Sequence, residues 1–164
     1  MTTTSSAEKR VPSAEGTQPS SIAEVFARAK ADGRVAMMPF VTGGYPTMAM
    51  AEQLISAVVR GGADLIEIGV PFSDPIADGP TVQHTSQVAL ANGATLAGCL
   101  DLVRRVRGEG ITVPLVLMGY TNPFFQYGLD RLAAEAVNAG VNGFIVPDLP
   151  IEESDDWRET FQRH

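Results

Sequence analysis

The residues of this sequence best suited to chemistry are three neighbouring acids, Glu67, Asp74 and Asp78. Glu67 stands inside the apolar run Leu65-Ile66-Glu67-Ile68-Gly69-Val70. Strand alternation would put Leu65, Glu67 and Gly69 on one face and Ile66 and Ile68 on the other. A carboxylate placed in an apolar layer either finds a cation or has its pKa pushed upward, and the second outcome is how proton-transferring carboxyls are made. A structural ion pair is the competing reading. It is disfavoured because no Arg or Lys occurs in the four apolar runs that read as strands, 35–44, 65–70, 112–120 and 143–147. Gly69 removes a side chain where a ligand would need room. Asp74 and Asp78 lie in the following loop, whose backbone is restricted by Pro71, Pro75 and Pro80. For these two acids, turn capping and function are evenly matched on composition.

The segments that must position these acids alternate in type. Ser21-Ile-Ala-Glu24 is a capping-box pattern that opens a short helix to about Ala31, and Gly33 ends it. The run 35–44 suits a strand buried on both faces. Thr47 caps a helix with Met50, Leu54, Ile55 and Val58 at helical spacing, closed by Gly61-Gly62. After the strand bearing Glu67 come a helical turn or two ending at Asn92-Gly93 and a helix from about Thr95 to Arg107. The latter has Leu96, Leu100, Leu102, Val103 and Val106 for one broad face. A third strand at 112–120, a helix at 129–140, a fourth strand centred on 143–147 and a final helical segment complete the pattern. Apolar strands alternating with amphipathic helices predict a parallel sheet with right-handed crossovers.

Composition narrows the function classes. With 164 residues and 45% apolar content the chain can form one sizeable core, and a net charge of −7 disfavours nucleic acid or an anionic membrane as partner. No apolar run is long enough to span a bilayer and the first residues lack a secretory signal, so the expected location is cytoplasmic. The lone Cys99 reads as a small buried apolar residue. His84 and His164 lack metal-ligand spacing, and no metal is expected. No glycine-rich nucleotide loop follows any strand. Residues 1–20, polar and rich in Ser and Thr, read as a disordered tail, which leaves 21–164 as the folded region.

The contiguous run from Ile66 to Pro80, IEIGVPFSDPIADGP, resembles the signature of the tryptophan synthase α subunit. Further matches follow in order: Pro39 to Gly44, Met118 to Pro123, and Val146 to Pro150. The resemblance covers residues from about 21 to the end. It implies a (β/α)8 TIM-barrel fold, of which only the first four βα units are present. It also implies retro-aldol cleavage of indole-3-glycerol phosphate to indole and glyceraldehyde 3-phosphate, in tryptophan biosynthesis. No cofactor is expected for the α subunit itself. Its expected partner is a β subunit carrying pyridoxal phosphate, in an α2β2 heterotetramer. By carry-over, Glu67 is the general acid/base and Asp78 stabilises positive charge on the indole nitrogen.

Phe40, Met118, Tyr120 and Ile145 lie at or near strand C-terminal ends, where barrel active sites are built, and are candidates for the indole slot. Thr42 and Asp148, also at strand ends, are candidates to position the carboxylates. A complete barrel takes roughly 250 residues and grips phosphate with loops after its seventh and eighth strands. The four strands counted here are therefore expected to be incomplete for activity, with the phosphate-binding residues beyond the chain end. The alternatives are a non-catalytic half-barrel that binds the β subunit or self-associates, and a different phosphate-barrel lyase or isomerase sharing these units.

Overall fold

A computed structural model describes residues 19–164. Most of the expected tail, residues 1–18, lies outside the described residues. Of the remainder, the Ser20 N–H donates to the Thr112 carbonyl at 3.0 Å.

The sheet has four parallel strands in the order β1 (Phe40–Thr42), β2 (Ile66–Gly69), β3 (Leu115–Met118) and β4 (Gly143–Ile145). Helix α1 (Ile22–Ala31) precedes it, and α2 (Met48–Arg60) connects β1 to β2. Helices α3 (Pro80–Ala91) and α4 (Leu96–Gly108) connect β2 to β3, while α5 (Thr121–Tyr127) and α6 (Leu129–Ala139) connect β3 to β4. A 3-10 turn at Ile151–Glu153 leads into α7 (Asp155–Arg163). Sequential neighbours pairing in one parallel sheet is the arrangement of successive βα units in a barrel.

Local chemistry explains where the helices start. Ser21 and Glu24 make the reciprocal capping box, and the hydroxyls of Thr47 and Thr95 each accept a backbone N–H in the first turn of α2 and α4. Gly140 ends α6 in the left-handed conformation that only glycine enters without strain. The outer face of the sheet, Val41, Ile66, Ile68, Leu115 and Leu117, packs with Ala51 and Ile55 of α2, the Leu100 to Val106 stripe of α4, and Leu132 and Ala136 of α6. Cys99 is fully buried in this layer, which pushes its thiol pKa up to about 12 and leaves it inert.

Several elements differ from expectation. The run 35–44 is strand only at 40–42, and Val35, Met37 and Met38 are exposed at 86%, 61% and 41% instead of buried on both faces. They precede β1, an edge of the described sheet, so no further strand lies beside these apolar side chains. In α2 the core face is Ala51 and Ile55, while Met50 and Leu54 point outward. The other strands are shorter than their apolar runs, because only the central residues join the parallel ladder. The turn or two before Asn92 is a twelve-residue helix, α3, with only Ser86 and Ala89 buried. Its weak apolar periodicity hid it. Between the third strand and the helix at 129–140 the structure adds the short α5.

The N-terminal ends of the strands are tied by two polar clusters. Arg34 Nη1 and Nη2 donate to the two Asp64 oxygens at 2.7 and 2.8 Å, and Asp64 also accepts the Met37 N–H. These bonds hold the Asp64 pKa at about 2. At the other side, Arg107 donates to the carbonyls of Gly140, Ile111 and Val113 and to Asn142 Oδ1, at 2.6 to 3.0 Å. All five of its N–H groups are used. Burial pulls this guanidinium down to about 10, yet its bonds join α4, the entry to β3 and the α6–β4 turn. Arg107→Met should orphan several partly buried carbonyls and cost roughly 3 kcal/mol. The expected result is a lower urea midpoint with an unchanged m-value.

Candidate active site

Parallel pairing places cross-strand partners on the same side of a sheet. One row of the inner face is Phe40, Glu67, Val116 and Gly143, and the next is Thr42, Gly69, Met118 and Ile145. Five of the expected site residues, Phe40, Thr42, Glu67, Met118 and Ile145, therefore face the same space, opposite the helix-covered side. Tyr120 follows two positions after Met118, at the C-terminal end of β3.

Glu67 is partly buried between these apolar neighbours. Among the described residues its carboxylate has no ion-pair partner and accepts no hydrogen bond. Burial pushes its pKa above the ordinary value, and the negative charge of Asp78 adds to the shift. Asp78 sits just before α3, in the loop after β2, and its Oδ2 accepts the Tyr120 hydroxyl at 3.0 Å. That hydroxyl also accepts the Ala77 N–H at 2.9 Å. The Asp78 carbonyl accepts the Gln83 side-chain amide at 2.9 Å. The two carboxyls are thus differentiated: one is hydrogen-bonded and held, the other is unpaired and raised in pKa. This pattern separates an acid/base group from an electrostatic one.

The apolar part of the space has a defined shape. Phe40 lays its ring over Gly69, where an added Cβ would lie 2.3 Å from Phe40 Cζ. The room left by Gly69 is thus filled by the Phe40 ring, not left free for a ligand as the sequence suggested. Gly119 plays the same part for Phe124, whose ring would be 2.6 Å from a Cβ there. Phe124 is fully buried and packs edge-on against Phe144 at 5.6 Å, which anchors α5 beneath the site.

Thr42 and Asp148 do not touch either carboxylate. The Thr85 hydroxyl donates to the Val82 carbonyl, so in the 2.7 Å contact between Thr42 Oγ1 and Thr85 Oγ1 the donor is Thr42. That contact joins β1 to α3. Asp148 Oδ1 accepts both the N–H and the hydroxyl of Thr121, at 2.8 and 3.0 Å. It closes the N-terminus of α5 from a different loop, because Tyr120 at the cap position offers no side-chain cap bond. Asp74, the third acid, is exposed and bonds the adjacent Ser73 hydroxyl at 2.5 Å, a local turn contact. His84 is exposed, and among the described residues no cluster of three metal-ligating side chains exists. Nor is any helix there long and apolar enough to cross a membrane.

Known proteins resemble this chain in sequence and in fold. The family model described as "Tryptophan synthase alpha chain" matches residues 26–164. The tryptophan synthase alpha chain of Chloroflexus aurantiacus is 48% identical over 145 residues, covering 88% of this chain and 54% of that protein. The corresponding protein of a Roseiflexus species is 50% identical, covering 88% and 56%. Among solved structures, tryptophan synthase subunit alpha from Legionella pneumophila superposes with a TM-score of 0.85 at 39% identity, over 87% of this chain and 55% of that one. Tryptophan synthase of Mycobacterium tuberculosis superposes at 0.83 with 34% identity, over 90% and 56%. The chain spans about half the length of the relatives it matches.

The contact between Phe40 and Gly69 can be tested directly. Gly69→Ala should swing the partly exposed Phe40 ring into the space before Glu67 at a cost of roughly 1 kcal/mol. Changed Phe40 ring shifts in NMR spectra, with a modest fall in melting temperature, are the expected readout.

Proposed function

The chain belongs to the tryptophan synthase alpha chain family, and we propose that it supplies the acid/base half of the indole-3-glycerol phosphate cleavage site. The observation that supports this most strongly is an unpartnered, raised-pKa Glu67 on β2 together with a hydrogen-bonded Asp78 in the loop that follows the strand. In the proposed reaction a proton is delivered to the indole carbon that bears the glycerol chain, which places positive charge on the ring nitrogen. The hydroxyl on the adjacent glycerol carbon then loses its proton. Its electrons form the aldehyde carbonyl, and the carbon–carbon bond breaks with its pair returning to the ring.

The net change moves one proton from oxygen to carbon, so a carboxyl that can both give and take near neutral pH is the group required. Glu67 takes that role. Asp78, ionised, offsets the charge on the ring nitrogen while the intermediate lasts. Phe40, Met118 and Ile145 on the inner face provide an apolar wall for the indole. These steps need no cofactor.

A β subunit that carries pyridoxal phosphate and accepts the released indole is the proposed partner. Three exposed apolar side chains support docking at this end of the molecule: Ile76 at 82%, Phe125 at 63% and Ile151 at 73% exposure, on the segments after β2, β3 and β4.

Glu67→Gln in the full-length protein should keep substrate affinity and lower kcat by about a thousandfold or more, as expected for loss of a general acid/base. Stopped assays of indole release check this, and a near-normal rate would return Glu67 to a structural role. In Asp78→Asn, kcat should fall by about ten- to a hundredfold. Removing that negative charge also lowers the Glu67 pKa, so the limb of the kcat/KM pH profile that reports Glu67 should move toward lower pH.

A further inference from the structure

We propose that Tyr120, Thr121 and Asp148 form a hydrogen-bonded brace that holds Asp78 in place, which makes Tyr120 and Asp148 positioning residues for the reaction. The inference rests on the function proposed above for Asp78, and it gives Tyr120 a second task beside bordering the slot. Its hydroxyl has one hydrogen, which goes to Asp78 Oδ2 at 3.0 Å, and it accepts the Ala77 N–H at 2.9 Å. Tyr120 is 2% exposed, and its ring packs against Phe72 with centroids 5.3 Å apart. The hydroxyl is therefore committed within the protein and grips two successive residues of the loop after β2.

What fixes Tyr120 is the residue after it. Thr121 begins α5, and both its N–H and its hydroxyl are taken by one oxygen of Asp148, from the segment after β4. Asp148 thus holds the first turn of α5, Tyr120 sits at the cap of that turn, and the Tyr120 hydroxyl holds Asp78. Three segments that follow three different strands are joined by four hydrogen bonds. The loop containing Asp78 has few other ties: backbone bonds from Ile76 to Asp74 and from Asp78 to Pro75 lie within it, and Gln83 bonds the Asp78 carbonyl from α3. Among the described residues, the bond from Tyr120 is the one that grips the Asp78 carboxylate itself. A carboxylate that works through charge alone depends on its distance from the charge it stabilises, so its rate contribution follows the brace.

Tyr120→Phe keeps the ring and removes only the hydroxyl. In the full-length protein kcat should fall about tenfold, the worth of one hydrogen bond to a charged group, with KM within about twofold. The same change in an Asp78→Asn background should cost less than about twofold, because its effect runs through Asp78. Asp148→Ala should lower kcat in the same direction, while Asp148→Asn, whose side-chain oxygen can still accept from Thr121, should restore it to within about twofold of wild type. Amide exchange at Ala77 should rise at least about tenfold in Tyr120→Phe. A rise in KM at constant kcat, or full additivity with Asp78→Asn, would overturn the brace and leave Tyr120 a wall of the slot. If the wild-type protein failed to cleave the substrate, the function reading would fall. The brace would then be judged by Ala77 exchange alone, and unchanged protection in Tyr120→Phe would overturn it.

Discussion

Parallel pairing in a single register is the constraint on which the rest of this molecule depends. Because partners on adjacent parallel strands share a side, one choice of register settles which residues meet in the site and which meet the helices. A slip of one residue in β2 alone would turn Glu67 toward Ile55 and the α4 stripe and bring Ile68 into the site. The outer layer prevents this: Ile66, Ile68, Leu115 and Leu117 are fully buried against α2, α4 and α6, and none of those contacts survives a reversal of faces. The apolar core therefore holds the chemistry in place although it contains none.

The inner face is built by complementary size within that register. Its first row runs Phe40, Glu67, Val116, Gly143 and its second runs Thr42, Gly69, Met118, Ile145. The large ring of one row covers the missing side chain of the next, so the wall beside Glu67 is closed without an extra layer. Burial raises the Glu67 pKa because that wall is apolar. A cation in the same row would have cancelled the effect.

Strand alternation made the facing of Glu67 legible from its neighbours, and the absence of Lys and Arg from the strand runs pointed to a carboxyl without an ion-pair partner. The caps at Ser21, Thr47 and Thr95 and the broad stripe of α4 were equally plain, since each depends on residues close in sequence. The exposure of Val35, Met37 and Met38 was not legible, because an apolar run does not say whether a second layer covers it. Helix α3 buries too little to show a period, and α5 is too short to show one. The bonds from Tyr120 to Asp78 and from Thr121 to Asp148 join residues 42 and 27 positions apart, a relation that no local pattern carries. The only available signal was that these polar groups cluster at strand C-terminal ends.

The two ends of the sheet differ in what they leave unused. Around Arg107 every donor has an acceptor, and the acceptors belong to two separate segments, the entry to β3 and the α6–β4 turn. Lysine in its place could serve three acceptors at most, and no other side chain could serve all of them. Change at this position has no gradual path: an intermediate sequence would leave carbonyls stranded whichever way it went. The opposite end, with an unpaired carboxyl and loops joined by a handful of bonds, can accept small alterations one at a time. Evolution of new specificity in such a scaffold is thereby channelled to the loops after the strands, while the Arg107 end acts as the inherited part of the frame.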